Sequence, residues 1–297
     1  MHIRFLPVLL LVLGMACRPA PSESPRFVTT INPLRAIVSE IAGGRAEVIA
    51  LVSPGASPHT YEPRPSDAAH AQSALALLYA SDGIDAWAAK LPAKERIEMC
   101  SFVPEPMRLP WMDTVHAEGH GDDHGHDHAA FDGHFWSDPL SVKSMLPALV
   151  ARMSALDPDG APIYAENAAQ FALELDSLDQ EMKTMFAELG GRPVLLFHPS
   201  WNYFMHRYGL EVAGMIEPDP GKESTVRFIE GIVRIAREEG VRAVFTEPQL
   251  PRRPAEVVAE AAGLPLFELD PNGGAEGRRS YRELILYNAT QLQSALK

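Results

Sequence analysis

Six of the chain's eleven histidines crowd into one short segment: His116, His120, His124, His126, His128 and His134 all lie in VHAEGHGDDHGHDHAAFDGHFW, residues 115–136. From Asp113 to Asp138 there are also seven carboxylates and no lysine or arginine, within a chain whose formal net charge is −13. Imidazole nitrogen and carboxylate oxygen are the donors that divalent transition metals prefer. With almost nothing to bury, the segment reads as a solvated, histidine-rich loop over 115–132. A disordered linker has a similar composition, so the loop's purpose depends on the rest of the chain.

The other residues able to do chemistry are scattered. His59 sits in SPGASPHTYEP, His198 ends LLFH, Glu247 follows VFT and Asp270 ends FELD. Each has an ordinary alternative. A lone histidine is more often a surface or core-edge residue than a ligand; Glu247 could cap a helix or hold an imidazole ring from behind; Asp270, ahead of proline, could be a turn residue. His70 and His206 lie in helical stretches without a second ligand at helical spacing and read as structural.

What could bring such residues together is an alternation of short apolar runs with amphipathic ones. RFVTTIN, AEVIALVS, ALALLYA and RIEMCSFV read as strands, with PLRAIVSEIAGG and DAWAAKLP as helices between them. SDPLSVKSMLPALVARMSALDP is helical and should bend or break at Pro147. From Ala161 to Leu189, Tyr164, Ala168, Phe171, Leu175, Leu178, Met182, Met185 and Leu189 recur at steps of three and four. That spacing makes one apolar stripe on one helix roughly 40 Å long, stopped by Gly190 and Gly191. RPVLLFH, LEVAGMI, VRAVFTEP and PLFELD then repeat the strand pattern, interleaved with helices.

Strands alternating with helices imply parallel sheets. The expected fold is therefore α/β, with two βα lobes over 26–158 and 191–297 joined by a backbone helix over 159–190. Ligands of such sheets bind beyond the carboxyl ends of the strands. His59, His198, Glu247 and Asp270 fall there, and His134 lies just before a helical start. Three imidazoles and one or two carboxylates between facing sheets suit a four-coordinate Zn²⁺ or a larger shell around Mn²⁺.

Residues 1–17 read as a secretory signal, with a basic start and an apolar run too short to span a bilayer. LGMAC places Cys17 as at the lipidated cysteine of a bacterial prolipoprotein, although Gly14 stands where leucine is usual; cleavage after Ala16 is the alternative. PAPSESP, within 18–25, has the composition of a tether. With only Cys100 left in the mature chain, the body must fold without internal disulfides. The acidic balance excludes a nucleic-acid surface. The expected location is the periplasm or the outer face of the cytoplasmic membrane, as a lipid-anchored monomer.

PHTYEP at 58–63, DGHFWSDP at 132–139, LLFHPSWNYFMHRYGL at 195–210, FTEPQ at 245–249 and LDP at 269–271 occur in the order and at about the distances of the cluster-nine solute-binding proteins. The chain resembles that zinc and manganese periplasmic family, which feeds ABC importers, over essentially its whole mature length. The resemblance implies a metal in the cleft between the lobes, held by His59, His134 and His198 with Asp270 as fourth ligand. The acidic histidine-rich loop and the third histidine resemble the zinc branch. The chain departs from the family in Gly133, where proline is common, and in HPSW after the third histidine.

The resemblance implies a binding protein that captures Zn²⁺ and delivers it to an ABC permease, with the loop as an auxiliary collector. Within the family the alternative cargo is manganese or iron. From another class, a zinc hydrolase would use Glu247 as general base, but no HExxH signature accompanies it. A surface adhesin with a structural metal is a third reading.

Overall fold

The computed structural model describes residues 25–111, 131–218 and 224–297. The expected leader with Cys17, the expected tether apart from its last residue, Pro25, and His116, His120, His124, His126 and His128 lie outside the described residues.

Two parallel four-stranded sheets share one connectivity. β1 (Arg26–Thr29), β2 (Glu47–Ala50), β3 (Ala76–Tyr79) and β4 (Arg96–Glu98) are ordered β2-β1-β3-β4. β5 (Val194–Leu196), β6 (Val212–Met215), β7 (Val244–Thr246) and β8 (Leu266–Glu268) are ordered β6-β5-β7-β8. The first lobe carries α1 (Asn32–Ala42), α2 (Pro65–Ser73), α3 (Asp82–Asp85) and α4 (Pro139–Leu156). After the long α5 (Ala161–Phe186) come α6 (Asn202–Tyr208), α7 (Val226–Glu238), α8 (Arg253–Ala262) and α9 (Tyr281–Leu296). In each sheet the chain steps one way from its first strand and then crosses to the other side. The crevice for a ligand therefore opens between β1 and β3, and again between β5 and β7.

The expected two-lobed α/β fold is present, with local differences that have physical reasons. α4 runs unbroken through Pro147, which is exposed, so the lost hydrogen bond falls on a face where water can replace it. RIEMCSFV is a strand only to Glu98; Cys100–Phe102 turn as a 3-10 segment and place the buried Cys100 and Val103 under the lobe. In α5 the stripe buries Tyr164, Ala168, Phe171, Leu175, Leu178 and Met182 as expected, but the helix ends at Phe186, which takes the next buried position in place of Met185. α1 ends on Gly43 at φ +54°, where any Cβ would run into the Asn167 amide that caps the Ile41 carbonyl from α5 at 3.0 Å.

α5 packs on α1 and α4 of the first lobe and on α6 and α9 of the second. One continuous apolar cluster runs from Phe27 and Ile37 through Phe171 and Leu178 to Phe204, Phe245 and Leu292, so the lobes share a core. Polar ties reinforce it. Arg207 of α6 reaches Asp179 of α5 at 2.6 Å and Asp138 at 3.1 Å, while Asp138 caps α4 through the Leu140 and Ser141 amides. Trp136 Nε1 donates to the Pro271 carbonyl at 3.0 Å, and Tyr281 donates its hydroxyl proton to the Trp136 carbonyl at 2.9 Å.

Phe171 is buried with its ring edge-on to Tyr281, 5.9 Å between centroids, so it sits at the seam of the shared core. Phe171→Ala is expected to cost about 3–5 kcal/mol in a denaturant titration and to shift one transition rather than split it. Leu173→Ala, at a residue 65% exposed on the opposite face, should stay within about 0.5 kcal/mol of the parent.

Candidate metal centre

Three histidines from three loops and both lobes meet in the cleft. One ligating nitrogen from each of His59, His134 and His198 lies within 4.8 Å of the other two. The ring centroids are 5.6, 5.4 and 5.2 Å apart pairwise. His134 and His198 are buried; His59 keeps an edge near the surface, yet its Nε2 is sealed.

Each ring is aimed by what holds its other nitrogen. His198 Nδ1 lies 2.9 Å from Glu247 Oε1, an oxygen that also accepts from the Ser200 hydroxyl at 2.6 Å. His134 Nδ1 lies 2.7 Å from Asp132 Oδ1, which also accepts from the His134 backbone amide at 2.9 Å. The Gly83 carbonyl, in the turn after β3, accepts from His59, whose Nε2 has no partner. His198 Nε2 is likewise buried and unpartnered. With its outer nitrogen donating, each of these two rings turns an Nε2 lone pair inward, the tautomer a metal needs. Buried polar atoms without partners are costly in a finished core and mark a place built for a ligand.

The supports come from the fold. The loop after β2 is fixed behind His59 by Trp87, which donates Nε1 to the Pro58 carbonyl at 2.8 Å, and by Asn272 of the other lobe, which donates to the Ala56 carbonyl at 3.3 Å. Asp132 is fully buried; its Oδ2 accepts from Asn202 at 3.1 Å and its carbonyl from the Tyr203 hydroxyl at 2.9 Å, so a second-lobe helix holds the carboxylate behind a first-lobe ligand. The departures from the family pattern fit this packing. A Cβ at position 133 would meet Ser81 Oγ and Ile84, so a larger residue there would have to move the Ser81 side chain, and Ser200 in HPSW supplies the hydroxyl on Glu247.

Asp270, expected as the fourth ligand, is not in the group. Its Oδ1 accepts from Gln249 Nε2 at 2.7 Å and from the Asn272 and Gly273 amides at 3.1 and 2.9 Å, and its Oδ2 faces Arg278 Nη1 at 3.0 Å. Gln249 lines the cavity instead, beside the three histidines and Glu247. That cavity encloses about 10 Å³, room for one ion or water and not for an organic molecule. His70 and His206 are exposed and take no part. Asp132, the Gly83 carbonyl and Gln249 were not anticipated from sequence. Asp132 had a signal, since a carboxylate two residues before a histidine can turn back onto its ring.

Burial, together with the neighbouring His198 and His134 rings, pushes the His59 pKa well below its ordinary value, against a smaller opposite effect of the Gly83 carbonyl. The sign for stability follows. Below about pH 6.5 the unfolded imidazole takes up a proton that the folded ring refuses, so metal-free protein loses stability as pH falls from there. Thermal melts of metal-free protein at pH 7.5 and 5.5 should show that loss, and His59→Gln should reduce it. Asp132→Asn and Glu247→Gln should each weaken zinc binding by roughly 10–100-fold, measured by competition with a chelator.

The chain is 30% identical over 307 residues to the high-affinity zinc uptake system protein ZnuA of Paracoccus denitrificans, covering 94% of each. It is 29% identical over 274 residues to a putative metal-binding protein of Thermotoga maritima, covering 91% of this chain and 92% of that one. A crystal structure of ZnuA superimposes with a TM-score of 0.78 at 25% identity, covering 93% of this chain and 100% of that one. The periplasmic zinc-binding protein TroA of Treponema pallidum, at 20% identity, has the same fold with a TM-score of 0.78 over 92% of this chain and 99% of that one. The family model described as zinc-uptake complex component A, periplasmic, matches residues 27–295, nearly all of the described fold. The chain belongs to that family of periplasmic zinc-uptake components.

Proposed function

We propose that this protein captures Zn²⁺ outside the cytoplasm through His59, His134 and His198 and hands it to the permease of an ABC importer. The observation that carries the reading is the convergence of three pinned imidazoles on a cavity the size of one ion. Nitrogen-rich, low-coordinate shells suit zinc better than manganese, which favours oxygen donors. Relatives named as high-affinity zinc uptake proteins support the same cargo. A hydrolase would need space for a substrate beside the metal. Here Glu247, its general base, has one oxygen already engaged by His198 and Ser200.

Capture and release work through the seam between lobes. His59 and His134 belong to the first lobe and His198 to the second, so a small relative displacement moves the His198 nitrogen away from both of the others at once. The shared core around α5 resists wide opening, and release follows docking of the permease across the lips of the cleft. In this reading Cys17 carries a lipid that keeps the protein at the membrane, and His116, His120, His124, His126 and His128 collect further ions with lower affinity. Among the described residues no helix is long and apolar enough to cross a membrane.

Calorimetric titration of the metal-stripped mature chain should give one tight zinc site. Deleting 116–128 should leave that site and remove only weaker binding. His198→Ala should lose more than the 10–100-fold expected for the carboxylates that orient the rings. Absence of any site tighter than micromolar would overturn the capture role.

A further inference from the structure

Arg278 lies against Asp270, the carboxylate that the family resemblance assigns to the metal. It sits in the loop between β8 and α9, where its backbone closes a tight turn: Gly274 N donates to the Arg278 carbonyl at 2.8 Å and Arg278 N to the Ala275 carbonyl at 3.0 Å. The guanidinium lies over the Tyr287 ring, 4.3 Å from its centroid, with Nη1 3.0 Å from Asp270 Oδ2 and 3.8 Å from Glu268 Oε1. Asp270 is 2% exposed, while the Arg278 side chain keeps 19% of its surface in solvent. For Asp270 to reach an ion it must leave its ion pair with Arg278 and three N–H donors, and Arg278 would keep only the more distant Glu268.

The same network fixes what the cavity does receive. Asp270 Oδ1 accepts only from N–H groups, so it takes the Gln249 side chain by its amide nitrogen and leaves Gln249 Oε1, buried and without a partner, on a residue that lines the cavity. We infer that Arg278 sets the metal preference of this protein: by holding Asp270 as a brace it leaves the ion three neutral imidazoles and a neutral oxygen, from Gln249 or water, instead of an anionic carboxylate. Such a shell favours zinc, while manganese loses the charged oxygen donor that it needs most. This rests on the zinc-capture reading of the three-histidine site.

The test uses the mature chain with Zn²⁺ and Mn²⁺, calorimetry for affinity and X-ray absorption at the zinc edge for the donor set. Arg278→Met should free Asp270, raise Mn²⁺ affinity by roughly tenfold or more and add a carboxylate to the zinc shell. Arg278→Met/Asp270→Asn should return both readouts towards the parent. Asp270→Asn alone, which keeps an oxygen for the two backbone amides, should leave the zinc-edge spectrum of the parent unchanged. The inference is overturned if the parent spectrum already contains a carboxylate that Asp270→Asn removes, or if Arg278→Met binds zinc with unchanged spectrum and unchanged Mn²⁺ affinity; in either case zinc capture stands. A parent without tight zinc binding overturns the capture reading itself and this inference with it.

Discussion

Everything in this molecule answers to one constraint: three imidazoles must face each other in a buried space, where the inner nitrogens of His59 and His198 have no hydrogen bond. Left alone, buried rings would rotate to find other partners. Each is held in orientation by a partner on its outer nitrogen, Gly83 for His59, Asp132 for His134 and Glu247 for His198. The partners differ in kind, one carbonyl and two carboxylates, but serve the same end. They spend the ring's N–H outward, so the remaining lone pair can only point in.

The two sheets place those partners by the same rule. In the second lobe His198 follows β5 and Glu247 follows β7, on either side of the crevice where the strand order reverses. In the first lobe the matching crevice lies between β1 and β3. Thr30, after β1, donates to the buried Asp85 carboxylate at 2.5 Å, and Asp85 accepts from the Ala80 and Ser81 amides after β3. Burial raises the Asp85 pKa to about 6 against those hydrogen bonds. The turn braced in this way contains Gly83. One crevice therefore supplies a ligand with its carboxylate, while the other supplies the carbonyl that aims a ligand from a neighbouring loop.

Much of this was legible in sequence because strand ends have a signature. A run of apolar residues that stops at His198, Glu247 or Asp270 locates a side chain at the ligand-binding edge before any tertiary contact is known, and the stripe on α5 announces its buried face. What was not legible has no residue type to announce it. A backbone carbonyl such as that of Gly83 looks the same everywhere, and a positional rule cannot show that Asp270 turns towards Arg278, because that pairing depends on how residues 271–278 fold back. Pro147 misled for a related reason: the rule against proline in helices assumes that the lost hydrogen bond is missed, which holds in a core and not on an exposed face.

α9 packs on α1 as well as α5, and Arg35 of α1 donates to the Arg279 carbonyl, 244 residues away in sequence, at 2.8 Å. A helix that follows the second sheet in sequence is therefore part of the wall of the first lobe. α1 packs chiefly on β2 and α5, and α9 adds a smaller contact from far along the sequence. Contacts of such long range slow folding, because a large loop must close before it yields any stabilisation. The sixteen residues of α9 thus tie α1 of the first lobe to β8 of the second across most of the sequence.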